Sequence, residues 1–252
     1  MAEVDVLIVP SLRASALKAS NILVSSHYDV VFLNFPHNLQ TVVSSCVSGI
    51  TTFRELVDKI NCGRLVPEPV SSWLFLNEPL LEALQNLGRN VKVYCYRDVD
   101  HNHILADAAS KIANLTFRVN VTGKVDVAEW IKILKETFRP ELTELEAEFI
   151  GLKAENRSAC ISSLSGWKLA QRIRMFGHTV KTRCVEKLYC FRPIETFEVL
   201  LEKGKLTQED GEKLIREHAK FIRDYVLNAK NIDEAYRLWV GRHKIISLGA
   251  KF

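Results

Sequence analysis

Val30-Val31-Phe32-Leu33, the run ahead of Asn34-Phe35-Pro36, is apolar without alternation. A strand with one wet face alternates apolar and polar side chains with period two, so an unbroken run belongs to a strand covered on both faces. That is the situation of a parallel sheet sandwiched between helices. Val4–Val9 and Val91–Tyr96 have the same texture. Helical patterns separate and follow these runs: Leu12–Val24, Thr52–Ile60, Glu78–Leu87 and Ile104–Ala113. In Thr52–Ile60, Phe53, Leu56, Val57 and Ile60 fall on one helical face. Strands alternating with helices of about ten residues imply βαβ units. Phe117–Val121 followed by Val125–Phe138 reads as one more repeat, and Trp73–Leu76 as a short strand or an apolar turn. The expected fold class is α/β, with Val4–Val9, Val30–Leu33 and Val91–Tyr96 as adjacent parallel strands of a domain spanning 1–138.

Beyond Pro140 the texture changes. Glu141–Phe149 is an acidic helix and Trp167–Phe176 a basic one. Thr179–Phe191 reads as extended, either one long strand or a hairpin. Ile194–Glu202, a long helix after Thr207 with Asp210 in the capping-box position, and Ile232–Val240 complete a mainly helical region over 139–252, separate from the first part or continuous with it.

The 252 residues are 47% hydrophobic and 25% charged, an ordinary globular composition that excludes collagenous and disordered classes. A membrane-spanning helix needs about 20 apolar residues in a row, and the longest apolar runs are of strand length. With no cationic segment ahead of a long apolar one, a secretory leader is not expected and a cytoplasmic location is. Cys46, Cys62, Cys95, Cys160, Cys184 and Cys190 form no C-x-x-C pair and no zinc-ribbon spacing, so buried thiols are expected. The even spacing of Cys184 and Cys190 leaves a disulfide between them open.

Charge is segregated. Residues 1–150 hold 14 basic and 18 acidic side chains, whereas 151–252 hold 20 and 12. Within 157–192 the basic residues Arg157, Lys168, Arg172, Arg174, Lys181, Arg183, Lys187 and Arg192 face one acid, Glu186. Lys168 and Arg172 lie one helical turn apart. On a strand, Lys181, Arg183 and Lys187 would share a face with Tyr189. Cations beside an aromatic ring suit phosphates and unstacked bases, so Lys168, Arg172, Arg174, Lys181, Arg183, Lys187 and Tyr189 form a candidate surface for nucleic acid or another polyanion. The competing reading has Glu141, Glu144, Glu146 and Glu148 neutralise it internally.

Ligands of open parallel sheets bind outside the carboxyl ends of the strands. That rule selects Pro10–Arg13, Asn34–His37 and Arg97–His103. In the third, Asp98, Asp100, His101 and His103 carry the donor types that hold a divalent metal, the one cofactor the sequence suggests. Asp98 and Asp100 are the candidate catalytic carboxylates of such a site. The alternative is a solvated loop in which Asp98 or Asp100 caps the next helix. Ser11 reads as a helix cap. There is no G-x-G-x-x-G, no P-loop, no G-x-S-x-G and no H-E-x-x-H.

Leu80–Ile112, LLEALQNLGRNVKVYCYRDVDHNHILADAASKI, resembles the TraB-family stretch in which a helix precedes a strand ending in D-R-D-[IV]. Asp29–Gln40, DVVFLNFPHNLQ, resembles the segment of the wider TraB/ChaN-like superfamily that reads D-x-V-x-x-E-x-P. The two matches lie in the family's order and cover about the first 115 residues. Asn34 stands at the family's glutamate, Pro10–Arg13 at its G-x-x-H, and Gly177-His178 lacks the apolar run of its later motif. The resemblance thus implies a divergent member that keeps the scaffold and has lost most of the hydrolytic groups. Three functional readings follow: a non-catalytic or weakly catalytic accessory subunit contacting nucleic acid, a divergent metal-dependent hydrolase, and a protein-interaction scaffold within a complex. None of them involves a membrane.

Overall fold

Five strands run parallel in the order 92–97, 30–36, 157–162, 3–8 and 179–184. The computed structural model describes residues 1–88 and 90–242. In chain order the elements are β1 (Glu3–Ile8), α1 (Arg13–Ser25), β2 (Val30–Pro36), α2 (Gln40–Val47), α3 (Phe53–Gly63), α4 (Val70–Ala83) and β3 (Lys92–Arg97). Then follow α5 (Val99–Thr122), α6 (Val127–Thr137), α7 (Pro140–Lys153), β4 (Arg157–Ser162), α8 (Gly166–Met175) and β5 (Thr179–Cys184). The chain continues as α9 (Pro193–Glu202), α10 (Gln208–Phe221), a π-helical turn (Ile222–Val226) and α11 (Ile232–Arg242). No helix among the described residues is long and apolar enough to cross a membrane.

The chain divides into two units, neither contiguous in sequence: 1–103 with 139–187, and 104–138 with 188–252. The chain crosses from one unit to the other after 103, after 138 and after 187, so the division expected at residue 138 is one of three crossings.

The first unit holds the sheet. Leu7, Val31, Leu33, Val93 and Ile161 face α1 to α4 on one side, and Val4, Val6, Phe32, Cys160 and Val180 face α7 and α8 on the other. The unbroken apolar strands thus have helices on both faces, and the parallel α/β fold is as expected. One neighbour differs: β4 lies between β1 and β2, pairing Cys160 with both Val6 and Phe32. Its sequence, RSACIS, escaped notice because its side chains are small and partly polar, although Ser158, Cys160 and Ser162 are buried. Gly166 opens α8 where a β-carbon would stand 2.9 Å from Ser162 Cβ and 3.1 Å from Ile8 Cγ1; only glycine lets the helix start so close to the strand ends.

The second unit is helical. Ile112, Leu115 and Val119 of α5 pack with Trp130 and Leu134 of α6, Phe197 of α9 and Ile215 of α10. Thr207 caps α10 as expected, its hydroxyl accepting from the Asp210 N–H at 3.1 Å. Phe117–Val121 is the last part of α5 and not a strand. The spacing of the buried Ile112, Leu115 and Val119 is helical, whereas Phe117 and Val121 are 70% and 66% exposed, although a strand would have put both on the core face with Val119. Trp73–Leu76 likewise belongs to a helix, α4. All six cysteines are free thiols: Cys46, Cys95 and Cys160 are buried, Cys184 and Cys190 half-buried, and Cys62 exposed.

Candidate ligand site at the carboxyl ends of the strands

β3 ends at Arg97, and α5 starts two residues later. Asp98 between them is a helix cap: its Oδ1 accepts the His101 N–H at 2.7 Å, and its carbonyl accepts from Asn102 Nδ2 at 3.0 Å. Asp100, His101 and His103 are therefore residues of the first helical turn, where neighbours diverge by about 100°. Asp100 and His103 are exposed while His101 is buried. Among the described residues no group of three His, Cys, Asp or Glu side chains is placed to hold a metal. The set Asp98, Asp100, His101 and His103 does not converge, and Asp98, one of the two candidate catalytic carboxylates, is used as the cap.

What does assemble here involves α7. Glu146 reaches Arg97 at 3.5 Å, with side-chain exposures of 8% and 15%. Burial pushes the Glu146 carboxyl above its ordinary range, and the Arg97 guanidinium only partly offsets this. Burial, with help from Arg97, lowers the His101 imidazole, so the ring is neutral at physiological pH. His101 is 8% exposed, and its Nδ1 has no hydrogen-bond partner among the described residues.

One turn along α7, Phe149 sets its edge against the His37 ring just after β2, at 5.2 Å, and against Phe32 within β2 at 6.4 Å. Asn34 alternates onto the same face of β2 as Phe32, and its Oδ1 is also buried without a partner among the described residues. In β3, Tyr96 donates its hydroxyl to the Ile161 carbonyl at 2.9 Å, tying β3 to the end of β4. One face of α7 thus covers the carboxyl ends of β2 and β3. The sequence places Asn34 in a strand-end loop, whereas Glu146 reads from it only as a neutraliser of basic charge.

Burial thus disfavours the charged form of both groups, raising the carboxyl and lowering the imidazole. The guanidinium adds a binding point for a negative group, since Arg97 has a single long contact to the Glu146 carboxyl.

The basic residues are placed differently from the expected surface. Arg172 pairs with Glu144 at 2.8 Å, and Lys181 with Glu3. Arg174 donates to the Val180 carbonyl at 3.1 Å. Lys168, Arg172 and Arg174 lie on α8, whose core residues pack on the Val180 face of the sheet. Lys181 and Arg183 alternate onto the opposite face of β5, an edge strand where charge blocks unwanted pairing. The strand ends at Cys184, so Lys187 and Tyr189 are not on it. Tyr189 belongs to the helical unit, stacks on Tyr236 at 5.3 Å and donates its hydroxyl to Glu195 at 2.8 Å. Nor does the segregation of charge survive folding, since the sheet unit carries 17 basic and 16 acidic residues.

No family model matches the chain, and neither a curated protein nor a solved structure matches it.

Proposed function

We propose that the protein is a binding protein whose sheet unit takes a small phosphate- or carboxylate-bearing molecule at the carboxyl ends of β2 and β3. Arg97 supplies the counter-charge, and His101 and Asn34 supply hydrogen-bonding atoms. One observation carries this reading: the largely buried Arg97 has Glu146 as its sole ion-pair partner among the described residues, at 3.5 Å. A ligand anion would complete what that carboxyl supplies only in part. The two segments that resemble the TraB/ChaN-like superfamily contribute these strand ends, which agrees with a retained scaffold; Asn34 at the glutamate position favours binding over hydrolysis.

A thermal-shift titration with inorganic phosphate, citrate and ADP tests it. A ligand at 100 times its dissociation constant adds about 2.7 kcal/mol, which for a chain of this size raises Tm by several degrees. Arg97→Gln and His101→Gln should each remove the shift. An equal shift in both variants sinks the proposal.

A second reading keeps the protein as an accessory subunit that contacts nucleic acid. It is favoured by Arg183 and Lys187, which are exposed and have no ion-pair partner among the described residues. On this reading, exchanging both for Gln flattens the salt dependence of oligonucleotide binding by about 1.4 for single strands, about 0.7 per lost phosphate contact. An unchanged slope removes it.

A further inference from the structure

The helical unit contains a cavity of about 520 Å³, walled by α5, α6, α9, α10 and the π-helical turn. Ile112, Phe117, Leu134 and Ile194 contribute apolar wall, and Ile222 and Leu227 line it from either end of the π turn. Such turns are rare and recur at functional sites. The size suits a small organic ligand.

Polar side chains in the wall are few, and most are already committed. Thr116 donates to the Ile112 carbonyl and Thr137 to the Leu134 carbonyl, each at 2.7 Å. Asn120 donates to the Ala219 carbonyl at 3.1 Å. Two groups remain. His218 is 8% exposed, and its Nδ1 is buried with no partner among the described residues. Glu198 makes no hydrogen bond or ion pair with any described residue.

The cation that acts on it, Arg192, pairs with Glu195, which also accepts from Tyr189, and only partly offsets the burial of Glu198. On its own helix Glu198 therefore meets Glu195, Glu202 and Arg192, whose Nη2 is held by Glu195. Across the cavity, α5, α6, α10 and the π turn line it with no ionisable side chain except His218, which burial keeps neutral above about pH 4. An unpaired carboxyl in an apolar cavity is costly unless it is protonated or meets a cation. Burial and the neighbouring Glu195 push Glu198 up to about 7.

We infer that this cavity is a binding site for a small organic amine, its hydrocarbon or aryl body against the apolar walls and its single ammonium group paired with Glu198. The inference is independent of the reading of the sheet unit. It makes binding pH-dependent, because the ammonium pairs only with the ionised carboxylate.

Isothermal titration of the full chain with three probes of one skeleton tests it: 4-phenylbutylamine, 4-phenylbutan-1-ol and 5-phenylpentanoate. At pH 8 the amine should bind about tenfold tighter than the alcohol, and the carboxylate most weakly. Lowering the pH to 6 should weaken the amine about tenfold and leave the alcohol unchanged. Glu198→Gln should abolish the amine's advantage while keeping alcohol binding, which also reports that the cavity is intact. Ala113→Trp, placed in the wall, should reduce both. Equal affinity of amine and alcohol for the wild type, an amine advantage that persists in Glu198→Gln, or no binding of any probe would each overturn the inference. The last result would leave the groove to a larger occupant such as an apolar helix.

Discussion

Arg97 at the end of β3 and Glu146 on α7 are 49 positions apart in sequence and 3.5 Å apart in the fold. Their contact brings a guanidinium and a carboxyl to the strand ends beside His101, whose free Nδ1 is buried in the same part of the sheet unit.

Removing Arg97 should therefore do more than weaken a contact. Breaking a largely buried pair costs about 3 kcal/mol because the remaining charge is stranded, and Arg97→Met should lower stability by about that much at pH 7. Glu146 is already pushed above its ordinary value, so the folded chain holds a proton there that the unfolded chain has released. Stability from this group is complete below the unfolded carboxylate value and declines as pH rises through the folded one. Arg97→Met raises the folded value further and should steepen the decline, whereas Glu146→Gln should remove it. Calorimetric Tm measured from pH 4 to pH 8 checks both, and parallel profiles for the three proteins would contradict the assignment.

The thiols offer a test of burial. Cys62 near the end of α3 is exposed, whereas Cys46, Cys95 and Cys160 are buried. Burial pushes the Cys95 thiol up to about 12 and that of Cys160 well above its usual value. Alkylation follows the accessible thiolate. Iodoacetamide at pH 8 should label Cys62 first, leaving Cys95 and Cys160 unlabelled until the chain unfolds. Peptide mass spectrometry at timed points gives the order, and early label on Cys160 would contradict the central position of β4.

The sequence shows its strands where they are apolar on both faces. Val30–Leu33, Val4–Ile8 and Val93–Tyr96 are legible because each contacts helices above and below. β4 is illegible for the opposite reason: it lies among four other strands, and Ser158, Ala159 and Cys160 fill the space that larger neighbours leave. Phe117–Val121 misleads because its alternating β-branched pattern is local, while the packing that decides it, Val119 against the core of the helical unit, is not. At the strand ends, Asp98 was legible as a cap. Glu146 as the partner of Arg97 was not, since the chain builds α5 and α6 between them before α7 returns to the sheet. Tyr189 reads as a base-stacking ring only until Tyr236 is seen against it.

The helical unit should show two opposed pH limbs. Burial lowers His218 to about 4, aided by Arg192. The unfolded chain therefore takes up a proton on this ring below its ordinary 6.5, where the folded chain cannot. Stability from His218 is complete above that value and is lost as pH falls toward 4, by up to about 3 kcal/mol at about 1.36 kcal/mol per pH unit. Glu198 acts in reverse: with its folded value near 7, its contribution is complete below the unfolded carboxylate value and is lost as pH rises through 7. Between about pH 4.5 and 6.5 the two slopes oppose each other, and their contributions in the wild type should nearly cancel. His218→Phe keeps an aromatic ring near Trp130, which His218 meets edge-on at 5.8 Å, and removes a nitrogen that has no partner to lose. Between pH 4.5 and 7 this variant should show the Glu198 limb alone, stability falling as pH rises. Glu198→Gln should show the His218 limb alone, stability rising with pH. Urea midpoints at half-unit pH steps resolve the two slopes, and a wild-type profile retained in both variants would mean that neither group titrates as its burial demands.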